Sequence, residues 1–220
     1  MINQIVGTAL VIPMCLVASS LVSCSDDDDD STSVLTADDG YAVSGEIDGH
    51  YYVDLGLSVK WADRNIGASS SSAYGDYFAW GETETKDSYT SSVTKGVKMD
   101  DIAGNAEYDA ATANWGSKWR MPTIDEFEEL VKKCTWVWTS RNGFNGYLVT
   151  GPSSNSIFLP AAGYWEVLSL NYADSRGIYW SSTPFASNSY AYCFFFRSGS
   201  QSVSYGYYRY YGLTVRPVSE

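Results

Sequence analysis

The chain has 220 residues and a formal charge of −12, with 45% hydrophobic and 15% aromatic residues. Less a short leader and a tether, roughly 170 residues remain, which suits one domain with a sizeable core. Eight Trp and eighteen Tyr among many Gly and Ser argue against disorder and for strands and turns. The acidity is uneven: Asp26 to Asp30, Asp38, Asp39, Glu46 and Asp48 fall in residues 25–48 with no Lys or Arg, leaving residues 49–220 with 17 acids against 14 bases. No basic face is concentrated anywhere, so nucleic acid is excluded as a partner.

Residues 5–23, IVGTALVIPMCLVASSLVS, carry no charge and end on small residues, as a secretory h-region does before its cleavage site. A transmembrane helix is the alternative reading of an apolar stretch of this length. Leu21-Val22-Ser23-Cys24 resembles the lipobox of bacterial lipoproteins, which implies that residues 1–23 are a signal peptide and that Cys24 carries the lipid anchor to the membrane. The following Ser25, Asp26, Asp27, Asp28, Asp29 and Asp30 resemble the acidic export tag of surface lipoproteins of the Bacteroidota. A run of five like charges is also a self-repelling spacer. Residues 24–45 are therefore expected to be a lipidated, acidic, flexible tether, and residues 46–220 the single domain. That reading puts the protein in the outer membrane, lipid-anchored and facing the cell surface or the periplasm.

Within the domain, Thr123-Ile124-Asp125-Glu126 is a capping box after Pro122, and Ile124, Phe127, Leu130 and Val131 recur at helical spacing, which predicts an amphipathic helix over 123–134. A shorter helical turn falls at Asp109–Ala113. Trp136-Val137-Trp138 alternates, so both indoles project to one face of a strand. Asn142-Gly143 and Asn145-Gly146 give two turn signals before Tyr147–Thr150 returns as a partner strand. Ser156–Leu159, Ile178–Ser182, Tyr190–Arg197, Ser202–Tyr208 and Leu213–Val218 read as further short strands. No repeat of fixed period is present.

Val53-Asp54-Leu55-Gly56-Leu57-Ser58-Val59-Lys60-Trp61, Tyr74-Gly75-Asp76-Tyr77-Phe78-Ala79-Trp80-Gly81-Glu82, Trp119-Arg120-Met121-Pro122-Thr123, Phe158-Leu159-Pro160-Ala161-Ala162-Gly163, Tyr179-Trp180-Ser181-Ser182-Thr183 and Val215-Arg216-Pro217-Val218 together resemble the Fibrobacter succinogenes major paralogous domain family. The Trp119–Phe127 segment is also similar to a segment of formylglycine-generating enzymes, whose fold is related to C-type lectins. The resemblance implies an α+β, C-type-lectin-like mixed fold of short, mainly antiparallel strands and one clear helix, and much less about activity. Where the family often has Trp-Ala-Thr-Cys-Asn, this chain has Trp61-Ala62-Asp63-Arg64-Asn65. A Cys that could partner Cys134 is therefore missing. Cys134 and Cys193 remain, either as a disulfide permitted by export or as two buried thiols.

Residue types leave little room for catalysis, and no enzyme activity is expected. His50 is the single histidine, so a histidine triad or histidine metal site is excluded, and Walker A, Gly-x-Ser-x-Gly and dinucleotide motifs are absent. Copper oxidase chemistry of the formylglycine-generating type needs paired thiols near the C-terminus, and Cys193 has no such neighbour. Asp76, Glu82, Glu84, Glu166 and Asp174 are carboxylates of the type a glycosidase pairs. The Glu-Pro-Asn and Trp-Asn-Asp tripeptides of calcium-dependent lectins do not occur. Asp100, Asp101 and Asp109 are calcium-ligand types, read more simply as a solvated loop. No metal and no cofactor are expected.

Aromatic rings are the best route to a ligand, since a flat ring stacks on a sugar or anchors a protein interface. Trp165 and the run Tyr205-Gly206-Tyr207-Tyr208-Arg209-Tyr210-Tyr211 are the candidates, with Tyr205, Tyr207, Tyr208, Tyr210 and Trp165 as ligand-binding residues. Trp61, Trp80, Trp119 and Trp180 are expected in the core. The expected function is a surface-anchored, non-catalytic binding or adhesion module for glycans or host and matrix ligands. A structural or assembly component of the envelope is the alternative, and a carboxylate-based glycan-processing enzyme a more distant one.

Overall fold

The structure, a computed structural model, describes residues 35–37, 40, 42–91 and 100–220. The proposed signal peptide, Cys24, and the Ser25 to Asp30 segment lie outside the described residues. The fold is β-rich and mainly antiparallel. A four-stranded sheet is built from β1 (Gly45–Ile47), β2 (His50–Val53), β3 (Lys60–Ala62) and the C-terminal β12 (Val218–Ser219), in that order. Two helices follow β3 in sequence, α1 (Ala110–Trp115) and α2 (Ile124–Lys133). Next come a three-stranded sheet of β4 (Thr135–Arg141), β5 (Phe144–Thr150) and β6 (Ser156–Pro160), and a small hairpin of β7 (Tyr164–Glu166) and β8 (Ser169–Asn171). A last sheet has the order β11 (Ser200–Tyr208), β10 (Tyr190–Arg197), β9 (Arg176–Pro184).

The β9–β10–β11 sheet separates two hydrophobic clusters, and strand alternation explains how. Successive side chains point to opposite faces, so Tyr179, Phe194 and Phe196 join one cluster with Trp61, Phe127, Tyr147 and Leu159. Ile178, Trp180, Ala191 and Cys193 join the other with Phe78, Trp80, Met121 and Leu213. Both faces of β9 and β10 are therefore covered, which is why these strands read as near-continuous apolar runs. Trp61, Trp80, Trp119 and Trp180 are all buried, as expected. The indole N–H of Trp180 donates to the Phe78 carbonyl and that of Trp80 to the Ser181 carbonyl, each at 2.8 Å.

Helix α2 starts at the Thr123 cap with both arms of the capping box formed, and buries Phe127 and Leu130. The Phe127 ring stacks on Phe194 with centroids 5.0 Å apart, which fixes α2 across the central sheet. Trp136 and Trp138 share a face, as their alternation required, and both meet Tyr147 edge-on. Asn142 and Gly143, at φ 49° and 86°, form the turn between β4 and β5.

Three sequence expectations need correction. Asn145-Gly146 is not a turn but lies within β5, where a Cβ on Gly146 would stand 2.2 Å from the Leu159 carbonyl oxygen. The glycine is there because β6 passes too closely for a side chain. Leu213–Val218 is not one strand: Leu213 and Thr214 make isolated bridges to Phe78 and Tyr179, and β12 begins only at Val218. The tether expected to run to residue 45 packs on the domain before that point, since Ala37 and Val43 are buried in the first cluster.

Candidate ligand-binding surface

The tyrosine run is split by the register of β10 and β11. Tyr205 stands opposite Cys193 and Tyr207 opposite Ala191, with a bulge just beyond at Phe195. Both rings therefore lie on the side of the second cluster. Tyr205 remains 50% exposed, resting on Phe195 with centroids 5.1 Å apart. Tyr207 is half-buried beneath Tyr164 at 5.6 Å and Tyr211 at 5.8 Å. Tyr208, opposite Tyr190, is exposed and contacts it at 4.4 Å, and Tyr210 stacks on Tyr208 at 5.2 Å. Arg209, between them, is buried, with its guanidinium 4.2 Å from the Trp80 ring and its Nε donating to the Tyr190 carbonyl.

Tyr164 in β7 joins these rings to the β7–β8 hairpin. It stacks on Tyr211 at 4.9 Å and Tyr172 at 6.0 Å besides touching Tyr207. The Tyr211 hydroxyl donates to Glu166 at 3.0 Å, which locks the end of the run to β7. The Arg176 guanidinium covers the Tyr172 ring at 3.7 Å. Beside them the hairpin exposes Val167, Leu168 and Leu170, Leu168 to 68%. Burial pushes the hydroxyls of Tyr164 and Tyr211 above their usual range, and that of Tyr207 up to about 12. All three therefore stay protonated at neutral pH. The result is a band of rings with apolar faces and donor tips, bordered by an exposed apolar hairpin.

Tyr205, Tyr207, Tyr208 and Tyr210 are thus brought into one neighbourhood. Trp165 is not, because it follows Tyr164 in the strand and so projects to the other side of the hairpin. It meets Tyr77 edge-on at 6.3 Å in a cleft lined also by Asp76, Thr85, Lys86, Asp87 and Tyr89. Tyr164, Tyr172 and Tyr190 were not singled out from the sequence. The Leu168-Ser169-Leu170 alternation after Gly163 is the available signal for the hairpin that holds the first two.

The candidate carboxylates are dispersed. Glu82 pairs with Lys86 at 2.7 Å, Glu166 holds Tyr211, and Asp174 accepts from the Asn145 backbone N–H at 3.1 Å. Glu84 is exposed, and Asp76 lies in the Trp165 cleft. Asp109 is not part of a solvated loop, and its carboxylate oxygens are taken up by backbone N–H groups. It is buried at the N-cap of α1 and accepts backbone N–H bonds from Gly104, Ala111, Thr112 and Met121. Asp101 caps its own turn at Ala103 and accepts from the Thr183 hydroxyl at 2.9 Å. Among the described residues no cluster of three or more His, Cys, Asp and Glu side chains is arranged to hold a metal. Cys134 and Cys193 are both free thiols. Burial pushes Cys134 up to about 11 and raises Cys193 as well, so neither is a ready nucleophile.

Fold and surface together define a β-rich domain with a partly exposed face of tyrosine rings. A family described as a domain of unknown function (DUF8237) matches residues 138–218. The matched stretch takes in all of β5 to β11, and with them the tyrosine band and Trp165. No curated protein and no solved structure matches the chain.

Proposed function

We propose that this chain is a surface-anchored lipoprotein whose domain is a non-catalytic binding or adhesion module for glycans or host and matrix ligands. In this reading the fold is an α+β, C-type-lectin-like member of the Fibrobacter succinogenes major paralogous domain family, tethered to the outer membrane through Cys24 and displayed by Ser25 to Asp30. The observation that carries the binding role is the band of tyrosine rings around Tyr164, which reaches the exposed Tyr172 and, through Tyr211, the exposed Tyr208, with Tyr205 exposed two residues before Tyr207 on Phe195. Such rings offer large contact area at low entropic cost and combine an apolar face with a hydrogen-bonding tip.

The deciding experiment is a glycan-array and matrix-protein screen with the purified full chain. Saturable binding that weakens in Tyr205→Ala and Tyr208→Ala, with melting unchanged, supports the module. A second reading is a structural or assembly component of the envelope, favoured by the exposed Val167, Leu168 and Leu170 at the hairpin tip. That reading gains if Leu168→Ser abolishes co-purification of another envelope protein while the screen finds no ligand.

A further inference from the structure

We propose that the cleft beside Trp165 is a second binding site, a saccharide subsite that takes one neutral pyranose ring. The site is separate from the tyrosine band, and the proposal does not rest on the function assigned to that band. The cleft measures about 340 Å³, at the small end of the range for ligand pockets, about 300–1,000 Å³.

Its framework is held from behind. Trp165 and Gly212 exchange backbone hydrogen bonds at 2.8 and 2.9 Å, and Tyr89 and Val167 do the same at 3.0 and 2.9 Å. Gly212 has no side chain because the Tyr89 ring lies where its Cβ would be, 2.7 Å from the nearest ring carbon. The hydroxyl of Tyr77 donates to the Ala162 carbonyl at 2.6 Å, and that of Tyr89 donates to the Tyr77 carbonyl. Both tyrosines therefore have their polar tips turned into the protein and present only ring surface. The framework leaves Trp165 as a half-buried platform in a fixed pose.

Two of the side chains that line the cleft are carboxylates. Asp76 and Asp87 are both exposed and line the same cleft as the Trp165 indole. Asp76 is seated against Gly67, where a Cβ would fall 2.1 Å from its carboxylate oxygen. Gly67 has φ 69° and no side chain, so the acid can lie back along the cleft wall. A platform ring flanked by carboxylate acceptors suits a pyranose: its C–H face stacks on the indole while adjacent hydroxyls donate to the carboxylates. Lys86, the cation in the cleft, is already paired with Glu82. Two acids against one paired cation make the site disfavour uronates and sulfated sugars.

The test is saturation-transfer difference NMR on the full chain with methyl β-D-glucopyranoside, methyl β-D-galactopyranoside, methyl α-D-mannopyranoside and methyl β-D-glucuronide. At least one neutral glycoside is expected to bind, with the strongest transfer to its ring C–H protons, and the glucuronide at least about tenfold more weakly. Trp165→Ala should weaken binding at least about tenfold, and Trp165→Phe should retain part of it. Asp76→Asn, at an exposed position, decides the matter should Trp165→Ala fail to fold, and is also expected to weaken binding. The proposal is overturned if no neutral glycoside binds, if the glucuronide binds as well as the others, or if folded Trp165→Ala and Asp76→Asn proteins bind as the parent does. Loss of ligand binding at the tyrosine band leaves these outcomes unchanged, so the two readings fail separately.

Discussion

The Nε of Arg216 donates to the side-chain oxygen of Asn65 at 2.7 Å, with both residues fully buried. The same guanidinium also donates to the carbonyls of Ala62, Asp63 and Phe158, so it ties the end of β3 to β6 behind the four-stranded sheet. Burial pulls its pKa down, and the carbonyl dipoles offset that cost by solvating the charge. Truncation removes the fork and strands four acceptors. Arg216→Ala should therefore lower unfolding free energy by about 3–5 kcal/mol, and Asn65→Ala by about 1.5–3 kcal/mol. Because the two share one bond, the double variant should lose less than the sum, measurable by urea titration.

Tyrosines of the band should divide by packing. Tyr205→Ala, at the exposed edge, should change stability by no more than about 0.5 kcal/mol, whereas Tyr207→Ala removes a ring wedged beneath Tyr164 and should cost about 1–3 kcal/mol. Trp180→Ala empties a core site and should cost about 3–5 kcal/mol. Melting curves of the three variants rank them directly. A Tyr205→Ala protein that melts as low as the Trp180→Ala protein would remove the exposed edge from the binding surface.

His50 lies flat on Trp115, with centroids 3.9 Å apart and planes within 6°. Burial lowers its pKa below the ordinary 6.5, against the pull of Asp63, Asp48 and Glu46 and with the help of Arg64. A base whose folded pKa is depressed binds more protons unfolded than folded in the window just below 6.5. Stability there should rise with pH and fall as the pH drops through that window. Phe at this position keeps a ring without the proton. The drop in melting temperature between pH 7.5 and pH 5.5 should therefore be smaller in His50→Phe than in the parent.

Anchoring is tested at Cys24. If its thiol is the acylated group, Cys24→Ser should abolish incorporation of a fatty-acid probe and release or strand the protein. Replacing Asp26 to Asp30 with Ala should leave labelling intact but reduce cleavage when intact cells are shaved with proteinase. Continued labelling of the Cys24→Ser protein would end the lipoprotein reading.

Local chemistry made part of the fold legible in the sequence. The Thr123 capping box and the spacing of Phe127 and Leu130 determine α2, Asn142-Gly143 determines one hairpin, and the alternation of Trp136 and Trp138 places both indoles inward. Each signal acts over a few residues, so neighbours along the chain suffice to read it. Asn145-Gly146 looked the same and meant something else, because its glycine answers to a strand about fourteen residues later in sequence. Asp109 likewise reads as a loop acid until Gly104 and Met121 close around it.

The binding surface needed the tertiary structure most. Seven residues with five tyrosines name a rich run, but nothing within Tyr205–Tyr211 says that Tyr207 goes under a ring from β7, or that Arg209 turns inward onto Trp80. Side-chain direction in a strand has period two, so one bulge at Phe195 and one strand end at Tyr208 reset which rings face out. Trp165, like those tyrosines, reads from the sequence as a ligand-binding ring. Its neighbour Tyr164 took that face, and the two-fold alternation of β7 sent the indole to the opposite one, into company with Tyr77 and Asp76 that the sequence places about ninety residues away.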